Sequence, residues 1–214
     1  MPTLPRRWSA IVCALTCIGT SAIAGGERPS PVFLQSGQAE GPSSANRDYR
    51  VLATKKTSTM EKELNEAGEA GYRFVAVMGG ETGFGGSEVV VVMVRRTDAS
   101  ADARFEYKLL ATSKTSTMQK ELQEASDAGF EYRGQTVFSS TFGGQEVVLI
   151  GEREAGATPK MREFKLLATS KTSTMQRELQ EAVEGGFEVV GLTVASTSFG
   201  GSELVTVLRR ERSP

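Results

Sequence analysis

Three places in the chain set a lysine beside hydroxyl side chains: Lys56-Thr57-Ser58, Lys114-Thr115-Ser116 and Lys171-Thr172-Ser173, each followed by Thr-Met. A lysine and hydroxyls at the start of a helix add to the free amides and partial positive charge found there, so the pattern suits a small anion. The glycines that a phosphate-cradling loop carries are missing upstream. The same residues admit a Ser–Lys pair for nucleophilic chemistry, with Lys114 beside Ser116 or Lys171 beside Ser173. A serine that caps a helix next to a solvated lysine explains them more simply. A second recurring feature is Phe-Gly-Gly, at Phe84, Phe142 and Phe199. An aromatic at a hairpin tip is either a contact point for a partner protein or a plug beneath its turn.

The rest of the inventory is mainly exclusion. The chain has no histidine, and its two cysteines are Cys13 and Cys17. Zinc and haem ligation by the usual side chains, and any histidine-based dyad or triad, are therefore not expected. The aspartates (Asp48, Asp98, Asp102, Asp127) are scattered and form no calcium loop. Glutamates are plentiful, but they fall on the outer faces of expected helices, where they read as solvated side chains. No cofactor is expected, and the chain reads as a non-enzyme.

The elements that position these residues come from repetition. Residues 106–154 and 163–211 are identical at 32 of 49 positions without a gap, and 48–96 is a more diverged copy. Repetition at a fixed period points to one structural unit used several times. In the second copy, Glu106-Tyr107-Lys108-Leu109-Leu110-Ala111-Thr112 reads as a strand. Ser116 and Gln119 have capping-box spacing, as do Ser58/Glu61 and Ser173/Gln176. Met118, Leu122 and Ala125 then fall on one face of a helix. Gly129 closes that helix in a left-handed conformation, as Gly71 and Gly186 do in the other copies. A strand, a Gly-Gly hairpin turn and a final strand complete a β-α-β-β unit. The last strand of the first copy, Val89-Val90-Val91-Val92-Met93-Val94, is apolar without alternation, which predicts a central strand buried on both faces.

The expected fold is α+β: three tandem β-α-β-β repeats, with nine strands and three helices, packed into one compact unit with the third strand of each repeat central. A unit this small cannot cover both faces of its own sheet. The linkers, 97–104 and 155–161, reach about 25 Å at most, so the repeats must touch in a compact cluster or a pseudo-threefold arrangement. The open face either meets a neighbouring repeat or pairs with a second chain.

The repeat resembles a group of short bacterial domains to which no activity is assigned. The resemblance rests on Tyr107-Lys108-Leu109-Leu110, Glu121-Leu122-Gln123-Glu124-Ala125 and Gly129-Phe130-Glu131, and on Phe164-Lys165-Leu166-Leu167, Glu178-Leu179-Gln180-Glu181-Ala182 and Gly186-Phe187-Glu188. It implies the β-α-β-β layout and carries no catalytic residue with it.

Residues 1–24 read as a secretory signal peptide: Arg6 and Arg7, an apolar run from Trp8 to Ile18, then Ala22-Ile23-Ala24. Residues 25–47 are rich in Gly, Pro and Ser and read as a flexible tether. Loss of Arg6 and Arg7 with the leader takes the formal net charge from −1 to −3, which argues against nucleic acid as a partner. The sequence thus predicts an exported repeat protein, periplasmic or secreted, that binds or scaffolds. No membrane span is expected after cleavage, and its partner would be another exported protein or a further copy of itself. The alternative is a small-ligand or anion-binding module built on the three Lys-Thr-Ser helix starts.

Overall fold

The computed structural model describes residues 46–81, 87–97, 103–139, 145–196 and 201–212, all within one compact unit, 42–214. The expected leader, nearly all of the tether, and Phe84, Phe142 and Phe199 lie outside the described residues. The first repeat contains β1 (Arg47–Thr54), α1 (Thr57–Glu69), β2 (Arg73–Glu81) and β3 (Ser87–Arg96). The second contains β4 (Phe105–Thr112), α2 (Thr115–Asp127), β5 (Glu131–Ser139) and β6 (Gln145–Glu154). The third contains β7 (Arg162–Thr169), α3 (Thr172–Glu184), β8 (Glu188–Ser196) and β9 (Ser202–Glu211). This is the expected α+β layout. Each repeat forms its own antiparallel sheet, ordered β1-β3-β2, β4-β6-β5 and β7-β9-β8, so the third strand of each is central.

The helices end as their sequences dictate. Gly71, Gly129 and Gly186 have φ of 84°, 88° and 81°. In the first repeat the Gly71 and Tyr72 amides return to the carbonyls of Gly68 and Ala67, a Schellman closure that needs a residue without Cβ strain. The starts differ from expectation. The N-cap residues are Lys56, Lys114 and Lys171, and none caps through its side chain. Ser58, Ser116 and Ser173 lie inside the first turn, so the expected capping boxes do not form. The threonines that end the preceding strands act instead: Thr54, Thr112 and Thr169 accept from the amides of Lys56, Lys114 and Lys171 at 3.2, 3.1 and 3.3 Å. Such local side-chain bonds turn the chain from strand into helix.

The repeats stack in series. We call the face of each sheet that carries its own helix the back, and the opposite face the front. α1 lies between the back of its own sheet and the front of the next. Met60, Leu64 and Ala67 of α1, with Val89, Val91 and Met93 of β3, share one core with Tyr107, Leu109, Val148 and Ile150. α2 repeats this arrangement one step on: Met118, Leu122, Ala125 and Leu149 join Phe164, Val205 and Val207. Away from the helices the sheets touch directly, β2 on β5 and β5 on β8. The first and third repeats make no comparable contact among the described residues. The arrangement is therefore a stack rather than a threefold cluster, because each helix can fill only the gap to the next sheet.

This corrects one reading of the first repeat. Val89, Val91 and Met93 are fully buried on the back, but Val90, Val92 and Val94 are only half-buried, because among the described residues no repeat covers the front. In β6, which has neighbours on both sides, Val147, Val148, Leu149 and Ile150 are all buried.

All three outer hairpin strands carry a β-bulge at the same place, between Phe74 and Ala76, Tyr132 and Gly134, and Val189 and Gly191. The bulge sets an aromatic knob on the back of one sheet against a glycine on the front of the next. A Cβ on Gly134 would lie 2.8 Å from the Phe74 ring, and one on Gly191 would lie 2.0 Å from the Tyr132 hydroxyl. Glycine is required at both sockets because the knob occupies the side chain's space.

Candidate functional site

The most polar buried place in the described residues lies at the seam between the first two repeats. β6 alternates Val148, Ile150 and Glu152 on its front, so the fold carries a carboxylate to a position 2% exposed. Arg73, at the start of β2, brings Nη2 to 3.0 Å from Glu152 Oε1. Arg133, on the β5 bulge, brings its Nη2 to 2.9 Å. The Phe74 amide donates to Oε2 at 3.0 Å. The Tyr107 hydroxyl lies 2.7 Å from Oε2 and 3.0 Å from the Tyr72 carbonyl. It has one proton, which goes to the charged acceptor.

The electrostatics follow from these contacts. Burial pushes the Glu152 carboxyl up, but the Phe74 amide, the Tyr107 hydroxyl and the two guanidinium groups outweigh it and hold the pKa below the ordinary value. Tyr107 is pushed well up, first by burial and then by the neighbouring Glu152 charge. A carboxylate fixed as an anion is a weak base, and a phenol held neutral is a weak acid. A group working as general acid or base needs a pKa near the operating pH.

A cleft of about 330 Å³ opens beside this cluster, lined by Glu106, Glu131, Arg153 and Lys160 as well as Arg73 and Arg133. Its cations already have partners. Arg153 holds Glu106 at 2.5 Å and the Ala128 carbonyl at 2.8 Å, and Lys160 faces Glu131 at 3.6 Å. Among the described residues no group of three or more acidic, cysteine or histidine side chains is placed to hold a metal ion. The arrangement is an ionic clamp between two repeats. Among the described residues it occurs once: the first repeat has Val94 and Val75 where the second has Glu152 and Arg133, and the third has Arg209 and Val190.

The second device at the seams is a side-chain ladder. β4 and β7 are edge strands with backbone groups open on one side. Asn65 of α1 pairs with the edge of β4, giving Nδ2 to the Tyr107 carbonyl and taking the Tyr107 amide on Oδ1, both at 2.9 Å. α2 does more. Gln119 donates to the Phe164 carbonyl at 2.8 Å and accepts from the Leu166 amide at 2.7 Å. Gln123 accepts from the Phe164 amide and donates to the Arg162 carbonyl, both at 3.0 Å. Two glutamines four residues apart share one helical face, and here they replace a neighbouring strand. Gln119 therefore reaches the next repeat rather than its own helix start.

The residues singled out in the sequence lie elsewhere. Lys56, Thr57 and Ser58 open α1; Lys114, Thr115 and Ser116 open α2; Lys171, Thr172 and Ser173 open α3. The three sets belong to three different repeats. The cleft beside the first is lined by Thr57, Ser58 and Lys108, but also by Glu61, Glu121 and Glu124, whose charges oppose an anion. The sequence reading missed Glu152, whose signal is an acid on the apolar phase of a central strand. Asn65, Gln119 and Gln123 carried no such signal, because polar residues on an amphipathic helix read as solvated. Among the described residues no helix is long and apolar enough to cross a membrane. Comparison with protein-family models, curated proteins and solved structures finds nothing that matches the chain.

Proposed function

We propose that the chain is an exported, non-enzymatic repeat scaffold that binds protein through the two ends of its stack. One observation carries this reading. The exposed large apolar side chains sort by repeat: Tyr49, Val51, Val75 and Met78 belong to the first, and Val183, Val189, Leu192 and Val194 to the third. Met161 precedes β7, and among the described residues none belongs to the second repeat. Repeat proteins normally finish their ends with polar capping units. Apolar surface gathered at two unfinished ends marks interaction sites. The paired, depressed carboxylate at the first seam and the absence of histidine from the chain support a non-catalytic role. Export rests on the leader-like residues 1–24.

The test is capture from a cell-envelope extract by the immobilised full chain, run beside Val51→Glu and Leu192→Glu. Each variant is expected to lose bound protein. Undiminished capture by both overturns the proposal. So does turnover of an ester, phosphate or glycoside by the purified chain that Glu152→Gln abolishes.

A further inference from the structure

The two ends are not merely apolar; each is an unused half of the seams inside the chain. On the back of the third repeat, Gln176 and Gln180 of α3 occupy the places of Gln119 and Gln123. Both are exposed, and neither makes a hydrogen bond among the described residues. On the first repeat, β1 is the edge strand, and its pairing with β3 places Tyr49 opposite Val94 as Phe164 stands opposite Arg209. The Tyr49 amide and carbonyl, the Val51 amide and the Arg47 carbonyl are thus the counterparts of the four groups that Gln119 and Gln123 satisfy on β7.

The apolar parts correspond as well. Tyr49 and Val51, 56% and 63% exposed, are the counterparts of Tyr107 and Leu109, which are buried at the first seam. The knob and socket change together. Inside the chain an aromatic meets a glycine, Phe74 on Gly134 and Tyr132 on Gly191. At the free ends the knob position holds Val189 and the socket position holds Ala76. A smaller knob opposite a partly filled socket keeps the summed volume close to that of the inner pairs, which is what close packing demands. No acid is stranded at this contact, because Val94 stands where Glu152 would be and Glu188 is already held by Arg209 at 2.7 Å. The helix position nearest the edge strand differs too: Val183 stands where the inner seams have Gly68, whose added Cβ would lie 2.1 Å from the Phe105 carbonyl oxygen, and Ser126, whose hydroxyl donates to the Arg162 carbonyl at 3.0 Å. The end contact has one hydrogen bond fewer than the second seam and more apolar area.

We infer that the back of the third repeat docks on the front of the first repeat of a second copy of this chain, continuing the stack from molecule to molecule. The inference rests on the reading of the ends given above and names their partner. The contact joins two different surfaces, so it leaves one free end of each kind and propagates as a chain of molecules or closes as a ring.

Sedimentation velocity of the purified full-length chain tests this without any other protein present. The wild type is expected to grow in mass with concentration. Val51→Glu on the front and Leu192→Glu on the back should each be monomeric, with unchanged circular dichroism and melting temperature because both side chains are exposed. Mixed in equal amounts, the two variants should form a dimer and nothing larger, since each retains the face the other has lost. Gln180→Ala should weaken association about tenfold. A wild type that stays monomeric at its highest soluble concentration overturns the inference, and if the ends still capture an envelope protein, the reading of the ends survives alone. Association by either single variant by itself, or a mixture that stays monomeric, overturns it too.

Discussion

At the first seam a buried carboxylate gathers two arginines, a tyrosine and a backbone amide from both repeats. At the second, the equivalent position on the sheet front is Arg209, which turns to Glu188 on its own sheet. The second seam has instead the longer ladder, with Gln119 and Gln123 making four hydrogen bonds to β7, where Asn65 makes two to β4. Both seams share the wedged helix, the aromatic knob and the glycine socket. The difference shows which parts the architecture requires. Every edge strand that meets a helix must have its backbone groups satisfied, because burying them unpaired costs about 1–3 kcal/mol each. The ionic cluster is optional, since the second seam packs without it.

The comparison can be broken most sharply where the sheets lie closest. A Cβ on Gly79 would stand 1.9 Å from the Val137 carbonyl oxygen, backbone that cannot rotate aside. Gly79→Val should cost about 3 kcal/mol in chemical denaturation, while Gly80→Ala, whose added Cβ meets nothing within 4 Å, should stay within about 0.5 kcal/mol. Equal effects would mean that the first seam is looser than described.

Next in size is the clamp. Glu152→Gln should destabilise the fold by about 2–3 kcal/mol at neutral pH, less than a fully enclosed pair would lose, because both arginines remain partly solvated. The pH dependence has a definite sign. The folded pKa of Glu152 is depressed, so its contribution is present above the ordinary carboxylate value of 4.5 and is lost as pH falls through the folded value. Melting temperatures of wild type and variant should therefore converge on acidification. Curves that stay parallel would remove Glu152 from the seam's energetics.

A smaller effect separates the inner ladder from its outer counterpart. Gln123→Ala should cost about 1–2 kcal/mol by leaving the Phe164 amide unpaired and the Arg162 carbonyl with the Ser126 hydroxyl alone. In a dilute sample Gln180→Ala should change stability by less than about 0.5 kcal/mol. The smallest effect is expected at the helix start. Ser116→Ala should also stay within about 0.5 kcal/mol, whereas a capping serine would be worth about 1 kcal/mol.

The repeats, the element order, the central third strand and the closing glycines were legible in the sequence because each follows from a local rule: self-similarity, hydrophobic period, and positive φ at Gly71, Gly129 and Gly186. The helix starts were misread because Ser116 and Gln119 have capping-box spacing whether or not the backbone places the serine at the N-cap. Here Thr112 captures the turn first. The seams were not legible as chemistry. Gln119 and Gln123 face the solvent of their own repeat and the backbone of the next, and only the stacking step distinguishes the two. The same holds for Val90, Val92 and Val94, whose composition suits a covered face although among the described residues no repeat packs on that side.

The recurring bulge has a further consequence. The residue it adds, Val75, Arg133 or Val190, stands outside the ladder's pairing register, so its identity is free of the pairing that binds its neighbours, although Val190 still packs against the core of the second seam. Arg133 shows what such a slot permits: one substitution there reaches Glu152 across the sheet front without moving a single backbone hydrogen bond. Each copy thus carries one position at which a duplicated unit can acquire its own preference for a neighbour while the ladder that builds it stays intact.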